Sequence, residues 1–218
     1  MALWRWFRGW SPEELEAFRR RMEDAGPSFR TPARLMDEEH GWLEEFFGEV
    51  VGKEAPGLPE PGGFWERART AALRFEFSDP RIMVAHFDRD SPVEGRLMLL
   101  EFRALGGRMV NGVRVHRVVD ERTPERSVFC YRWYSLEGHP ERGWEAVRLE
   151  KDGRTGEVRF AIEDRRREGD FPNWISRLGF RLIGTFYRNR WMKRAADRLR
   201  ALQQPETASA PSRRRATV

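Results

Sequence analysis

Between residues 81 and 164 the hydrophobic period is two, and it recurs in runs separated by turn residues. The runs fall at about 81–89, 95–104, 110–120, 126–136, 142–151 and 155–164. Connections this short cannot hold crossover helices, so the strands must pair antiparallel as a meander. Lys151-Asp152-Gly153-Arg154 is its clearest hairpin turn. Alternation also assigns a buried face, on which Met98, Leu100 and Phe102 form one set, Phe129, Tyr131 and Trp133 a second, and Val158, Phe160 and Ile162 a third. In the fifth run the inward parity of Val147 and Leu149 includes Glu145, and in the third Arg117 shares parity with Val113, Val115 and Val119.

Helical signals flank the strands. Ser11-Pro12-Glu13-Glu14 reads as a capping box opening a helix to about Asp24. Trp42, Leu43, Phe46, Phe47 and Val50, spaced by three and four, predict a second helix over about 37–50. A glycine- and proline-rich linker follows at 52–63, then a short helix, Phe64 to Leu73. From Phe171 to Leu202 the period is again helical, but its apolar stripe slips. Phe171, Trp174, Ile175, Leu178, Leu182 and Phe186 lie on one side, whereas Met192, Ala195, Ala196, Leu199 and Leu202 continue the side carrying Arg177, Arg181 and Arg188. The first half is expected to pack on the sheet, and the second to meet the N-terminal helices or lie free. The fold class is therefore α+β, a curved antiparallel sheet of about six or seven strands wrapped on a long C-terminal helix. The divisions are a helical extension and linker over 1–61, a core domain over 62–204, and a basic tail over 205–218 with a disorder-prone composition.

Composition narrows the function classes. The 218 residues carry 40 basic and 35 acidic side chains, so the pI near 9.9 is no argument for nucleic acid, which is disfavoured as a partner. The charge is uneven: residues 165–218 hold 14 basic groups against 4 acidic. Contact of that basic helix with an anionic membrane surface is one reading, and a solvated face is the simpler one. Trp4, Trp6, Phe7 and Trp10 present the same choice and are expected to dock on the body. The single cysteine, Cys130, forms no internal disulfide, and no apolar run reaches the roughly 20 residues of a membrane span, so a cytoplasmic protein is expected. His40, His86, His116 and His139 lie at no ligand spacing, and no glycine loop is placed to cradle phosphate, so neither metal nor cofactor is expected.

A more specific signal is the segment containing Phe129, Tyr131, Trp133, Leu136, Gly138-His139-Pro140-Glu141, Gly143 and Glu145, followed by Val158, Phe160 and Ile162. Over roughly residues 62–202 the chain resembles a bacterial and plant family of START-like (SRPBCC, helix-grip) proteins, a domain of unknown function. In that family an F-x-F-x-Y-G-T-L strand runs into G-H-P-x-x-G-E-E. Here Trp133 stands for the tyrosine, Tyr134-Ser135 for Gly-Thr, and Trp144 for the first glutamate. The resemblance implies a sheet around the C-terminal helix, often with a pocket between them, and implies no reaction.

Two polar residues of inward parity, Glu145 and Arg117, would act as handles in an apolar pocket or as a structural ion pair. His139 would fix the turn between Gly138 and Pro140 or titrate at the pocket mouth. Phe129, Tyr131, Trp133, Phe160, Trp174 and Leu178 complete the candidate site, though such aromatics more often form core. The favoured reading is binding of a small hydrophobic or amphipathic molecule between sheet and helix. Its alternatives are an enzyme using Glu145 with His139 or Tyr131 as acid and base, and a binder of anionic surfaces through the basic helix. No catalytic motif is present.

Overall fold

A computed structural model describes residues 2–169 and 174–203, the side chains of 174–181 excepted. Its strands are β1 (Leu3–Trp6), β2 (Leu43–Lys53), β3 (Met83–His86), β4 (Leu97–Ala104), β5 (Gly107–Arg122), β6 (Arg126–Ser135), β7 (Glu141–Asp152) and β8 (Glu157–Glu168). Its α-helices are α1 (Pro12–Glu23), α2 (Phe64–Leu73) and α3 (Trp174–Ala201). The meander runs β3 to β8 with every consecutive pair antiparallel. Strand β2 adds to it beside β8, and β1 pairs with the N-terminal end of β5. The result is the α+β helix-grip class, an eight-stranded antiparallel sheet with a C-terminal helix.

The inner face carries the sets that alternation assigned. Phe129, Tyr131, Trp133, Val147, Leu149, Val158, Phe160 and Ile162 are buried there against Phe64, Trp65 and Ala68 of α2 and Trp191, Met192, Ala195 and Leu199 of α3. On the opposite face α1 buries Phe18 and Met22 against Leu99, Val110 and Leu136. Its capping box is complete, Glu14 N donating to Ser11 Oγ at 3.2 Å and Ser11 N to Glu14 Oε2 at 2.8 Å. The N-terminal aromatics divide: Trp10 packs beside α1 under Arg5, while Trp4, Trp6 and Phe7 are exposed rather than docked. The linker is fastened by buried Lys151, whose Nζ lies 3.0 Å from Glu54 Oε2 and donates to Leu58 O at 2.9 Å.

Two expectations are corrected. Residues 37–50 are a turn of 3₁₀ helix, Glu38–His40, followed by strand β2. The spacing of three and four was accidental, because in the strand Phe46 and Val50 point outward and are exposed, whereas Leu43 and Phe47 have the opposite parity and face the side of the cavity and core. Aromatic and β-branched residues with Gly48 and Gly52 favour a strand over a helix. Tertiary pairing adds to this, since Glu45 and Glu49 turn inward and meet Arg188 and Arg200 of α3.

The second correction concerns α3. Trp191, Met192, Ala195, Ala196 and Leu199 close the core, whereas Leu182, Ile183 and Phe186 are exposed. The packing expected of the two halves is reversed over the described side chains; Trp174 and Leu178, like the tail 205–218, lie outside the described residues. The inward side of α3 continues past Met192 through Arg188, because the sheet opposite offers carboxylates rather than apolar surface. The slip in the apolar stripe marks where α3 passes from apolar to ionic packing. Among the described residues no helix is long and apolar enough to cross a membrane.

Candidate functional site: a cavity beside a carboxylate row

Register sets Glu45, Asp164 and Glu145 directly opposite one another on β2, β8 and β7, and Trp133 of β6 continues the row. Facing like charges destabilise a sheet. Arg188 of α3 offsets the repulsion: its Nε donates to Glu45 Oε2 at 2.8 Å, its Nη2 lies 2.7 Å from Glu145 Oε2, and Nη2 also donates to Asp164. Arg166, one pair along β8, bonds Glu45 at 2.7 Å and Asp164 at 2.8 Å, with Glu141 at 3.4 Å. Side-chain exposure is only 3% at Asp164, 13% at Glu145 and 15% at Arg188, so the cluster acts in a poorly solvated setting.

Beside it a cavity of about 210 Å³ lies between the inner face and α3. Leu100, Phe102, Met109, Val113, Trp133 and Trp191 form apolar wall; Asn111, Ser135, His139 and the ionic cluster supply polar wall. Burial pushes the Glu145 carboxyl above its ordinary pKa, with Arg188 pulling the other way. At Glu45 burial acts in the same sense, but the hydrogen bonds from Arg166 and Arg188 outweigh it and the pKa is lowered. The row therefore holds neighbouring carboxyls of unlike acidity. Burial lowers the His139 pKa, Glu141 partly opposing. His139 Nδ1 accepts from Glu141 N at 3.0 Å, which leaves the ring proton of the neutral form on Nε2.

The Gly138–Glu145 segment builds this corner. Gly138 takes φ +83°, and Gly143 takes φ +147° where a Cβ would overlap the Arg165 carbonyl oxygen. Gly143 N donates to Ser135 Oγ at 2.9 Å, and Ser135 Oγ donates to Gly143 O at 3.1 Å. This close approach sets the register that aims Glu145 inward.

Of the candidate residues, Trp133, His139 and Glu145 line the cavity together. Phe129, Tyr131 and Phe160 do not: Phe129 is packed under Arg69, Phe160 against Phe77, and the Tyr131 hydroxyl donates to Ala72 O at 3.0 Å inside the core. Arg117 is exposed and far from the role expected of it. A bulge between Val115 and Arg117 inverts the strand's parity, so Val118 faces inward opposite Tyr131 and Arg117 turns out opposite Arg132. Glu145 is inward and paired, but to Arg188. Cys130 is half-buried, with its thiol pKa raised by burial.

Asn111, Asp164, Arg166 and Arg188 were missed. Asp164 and Arg166 continue the parity of Val158, Phe160 and Ile162, and Asn111 shares that of Val113, so the alternation rule extended beyond its apolar members would have found them. Among the described residues no group of three or more His, Cys, Asp or Glu is placed to hold a metal ion.

Several solved structures are similar. Ara h 8.0201 aligns at TM-score 0.42 and 11% identity, covering 73% of this chain and 99% of its own. Ginseng major latex-like protein 151 from Panax ginseng aligns at 0.43 and 12%, covering 76% and 99%. The protein of unknown function SA2116 from Staphylococcus aureus aligns at 0.44 and 10%, covering 75% and 97%. No curated protein matches the sequence. The model of a domain of unknown function (DUF1990) matches residues 51–206, which take in the end of β2, the meander, every cavity-lining residue except Leu43, and α3, and the chain belongs to that family.

Proposed function

We propose that the protein binds a small hydrophobic or amphipathic molecule in the cavity between the inner face and α3. The observation that carries this reading is the wall itself: its surface is mostly apolar, with Asn111, Ser135, His139 and the ionic cluster as polar members, the usual composition of a small-molecule site. The basic residues of α3 divide between the interior and the surface. Arg188 is committed to the buried carboxylate row and Arg200 is paired with Glu49 and Asp197, while Arg190, Lys193, Arg194 and Arg198 remain on the exposed side of α3. Native mass spectrometry of gently purified protein tests the reading. A co-purifying molecule that is lost on Trp133→Arg supports it, whereas apoprotein with no uptake from a lipid and metabolite extract refutes it.

A second reading, catalysis, rests on one observation. Glu145, a carboxyl that holds its proton above the ordinary range, and His139, an imidazole kept neutral, line the same cavity. Tyr131 drops out because its hydroxyl is engaged in the core. Turnover of a co-purified molecule, abolished by Glu145→Gln with binding retained, would establish this reading; unchanged turnover in that variant would exclude it.

A further inference from the structure

Away from the cavity, large apolar side chains of three distant segments meet at one corner of the surface. Trp4 and Trp6 share a face of β1 and are exposed, and Phe7, next in the chain, is 85% exposed. Phe7 N donates to Gly106 O at 2.8 Å, which sets Phe7 beside Leu105, 66% exposed, in the two-residue turn between β4 and β5. Tyr187 of α3 lines a surface recess with Phe7 and Leu105, and its ring centroid lies 5.5 Å from that of exposed Phe186. A contiguous exposed apolar patch of this kind marks a place of contact.

The backbone is strained where it presents two of these residues. Phe7 takes φ +60° and Leu105 takes φ +50°, with Gly106 after it at +82°. A turn with two such residues favours Asn-Gly, because Gly, Asn and Asp enter the left-handed region readily and a bulky side chain does not. Neither Phe7 nor Leu105 recovers the cost by burial within the chain. Apolar side chains held in solvent on strained backbone make sense if a partner buries them.

The surrounding charge narrows that partner. Arg81, Arg103 and Arg108 line the recess, no acidic side chain lines it, and exposed Arg8 follows Phe7. Arg103 and Arg108 share one buried carboxylate, Glu101, and Arg81 lies 3.5 Å from Asp79, so positive charge is in excess. A second copy of the chain seated here would set arginines against arginines across a two-fold axis. Tryptophans and other apolar side chains among cations match the headgroup boundary of an anionic bilayer, where the apolar parts are buried and the cations meet phosphate.

We propose that this corner, formed by Trp4, Trp6, Phe7, Leu105 and Phe186 with the arginines around them, docks the protein on an anionic phospholipid surface. The contact is placed at β1 and the β4–β5 turn rather than along the basic side of α3, and it does not rest on the binding reading of the cavity.

The test is co-sedimentation of the full chain with vesicles of phosphatidylcholine alone and of phosphatidylcholine mixed with phosphatidylserine. The mixed vesicles are expected to bind at least about tenfold tighter than the neutral ones, with the preference disappearing in about 1 M salt, where charges are screened within roughly 3 Å. The double substitution Phe7→Asn and Leu105→Asn relaxes both backbones, so the variant should melt at or above the wild type and yet bind mixed vesicles at least about tenfold more weakly. The comparison of the two vesicle types needs no variant. Equal binding to both, no binding to either, or a variant that binds as the wild type does overturns the proposal. If neither vesicle binds and light scattering shows a dimer that the double substitution dissociates, the corner is an interface between copies of this chain, and the proposal is likewise overturned.

Discussion

The Arg188 guanidinium on α3 lies 2.7 Å from the Glu145 carboxylate on β7, and the same group reaches Glu45 on β2 and Asp164 on β8. One side chain thus fastens the helix to three adjacent strands. Breaking a buried ion cluster by removing one member leaves the others uncompensated. Arg188→Leu is expected to cost about 3–5 kcal/mol in urea unfolding. Adding Glu145→Gln to that variant should recover part of the loss, because fewer facing carboxylates then lack a cation. Additive losses in the double variant would show that the row is not coupled through Arg188.

Glu145 alone behaves differently. Its folded pKa is raised by burial, so between the unfolded value and the folded one the native state binds more protons, and stability falls as pH rises through that window. Glu145→Gln keeps the shape and removes the titration, while Arg188 retains Glu45 and Asp164. The variant is expected to melt at or above the wild type at pH 8, with the advantage disappearing as pH is lowered to about 4.5, the unfolded value. A variant that melts lower at pH 8 than at pH 5, relative to wild type, would mean that the charged form of Glu145 is the stabilising one.

The meander was legible because apolar alternation, short turns and pairing all impose the same answer, and the inward sets of β6 and β8 are where parity puts them. Glu145 was legible for the same reason. Arg117 was not, since a single bulged residue reverses every later side chain of β5 and leaves no mark in composition. Strand β2 and the inward side of α3 failed for a shared cause. Both faces mix apolar residues with ion pairs between distant segments, Glu45 with Arg188 and Glu49 with Arg200, and a pattern rule that equates inward with apolar cannot see the ionic members.

Glu101 of β4 is 2% exposed and is bonded by His86 at 2.9 Å, Arg103 at 2.9 Å and Arg108 at 2.8 Å. Burial alone would raise its pKa, but those three donors outweigh it and lower the value from 4.5 to about 2. A depression of that size links on the order of 3 kcal/mol to the ionised form. The folded pKa lies below the unfolded one, so this stability is present above pH 4.5 and is lost as pH falls toward 2. Glu101→Gln should unfold at lower urea than wild type at pH 7, with the gap narrowing as pH drops below 4.5. A gap independent of pH would assign the loss to packing.

Gly143 and Gly41 both hold positive φ, at +147° and +75°, but only one is crowded. A Cβ at Gly41 meets nothing within 4 Å, so Gly41→Ala should cost only the local backbone strain, about 1–2 kcal/mol. At Gly143 the added Cβ overlaps the Arg165 carbonyl oxygen of the paired strand, so relief requires β7 and β8 to separate where Glu145 faces Asp164. Gly143→Ala is expected to lose clearly more than Gly41→Ala in thermal melts, on the order of 3 kcal/mol or more once strain and displaced backbone are combined. It should also weaken retention of the co-purifying molecule in native mass spectrometry, because His139 and Glu145 are positioned by this close approach, whereas Gly41→Ala should leave retention unchanged. Equal losses of stability in the two variants would show that the strands part there without cost, and the Gly138–Glu145 corner could then no longer be credited with aiming Glu145 into the cavity.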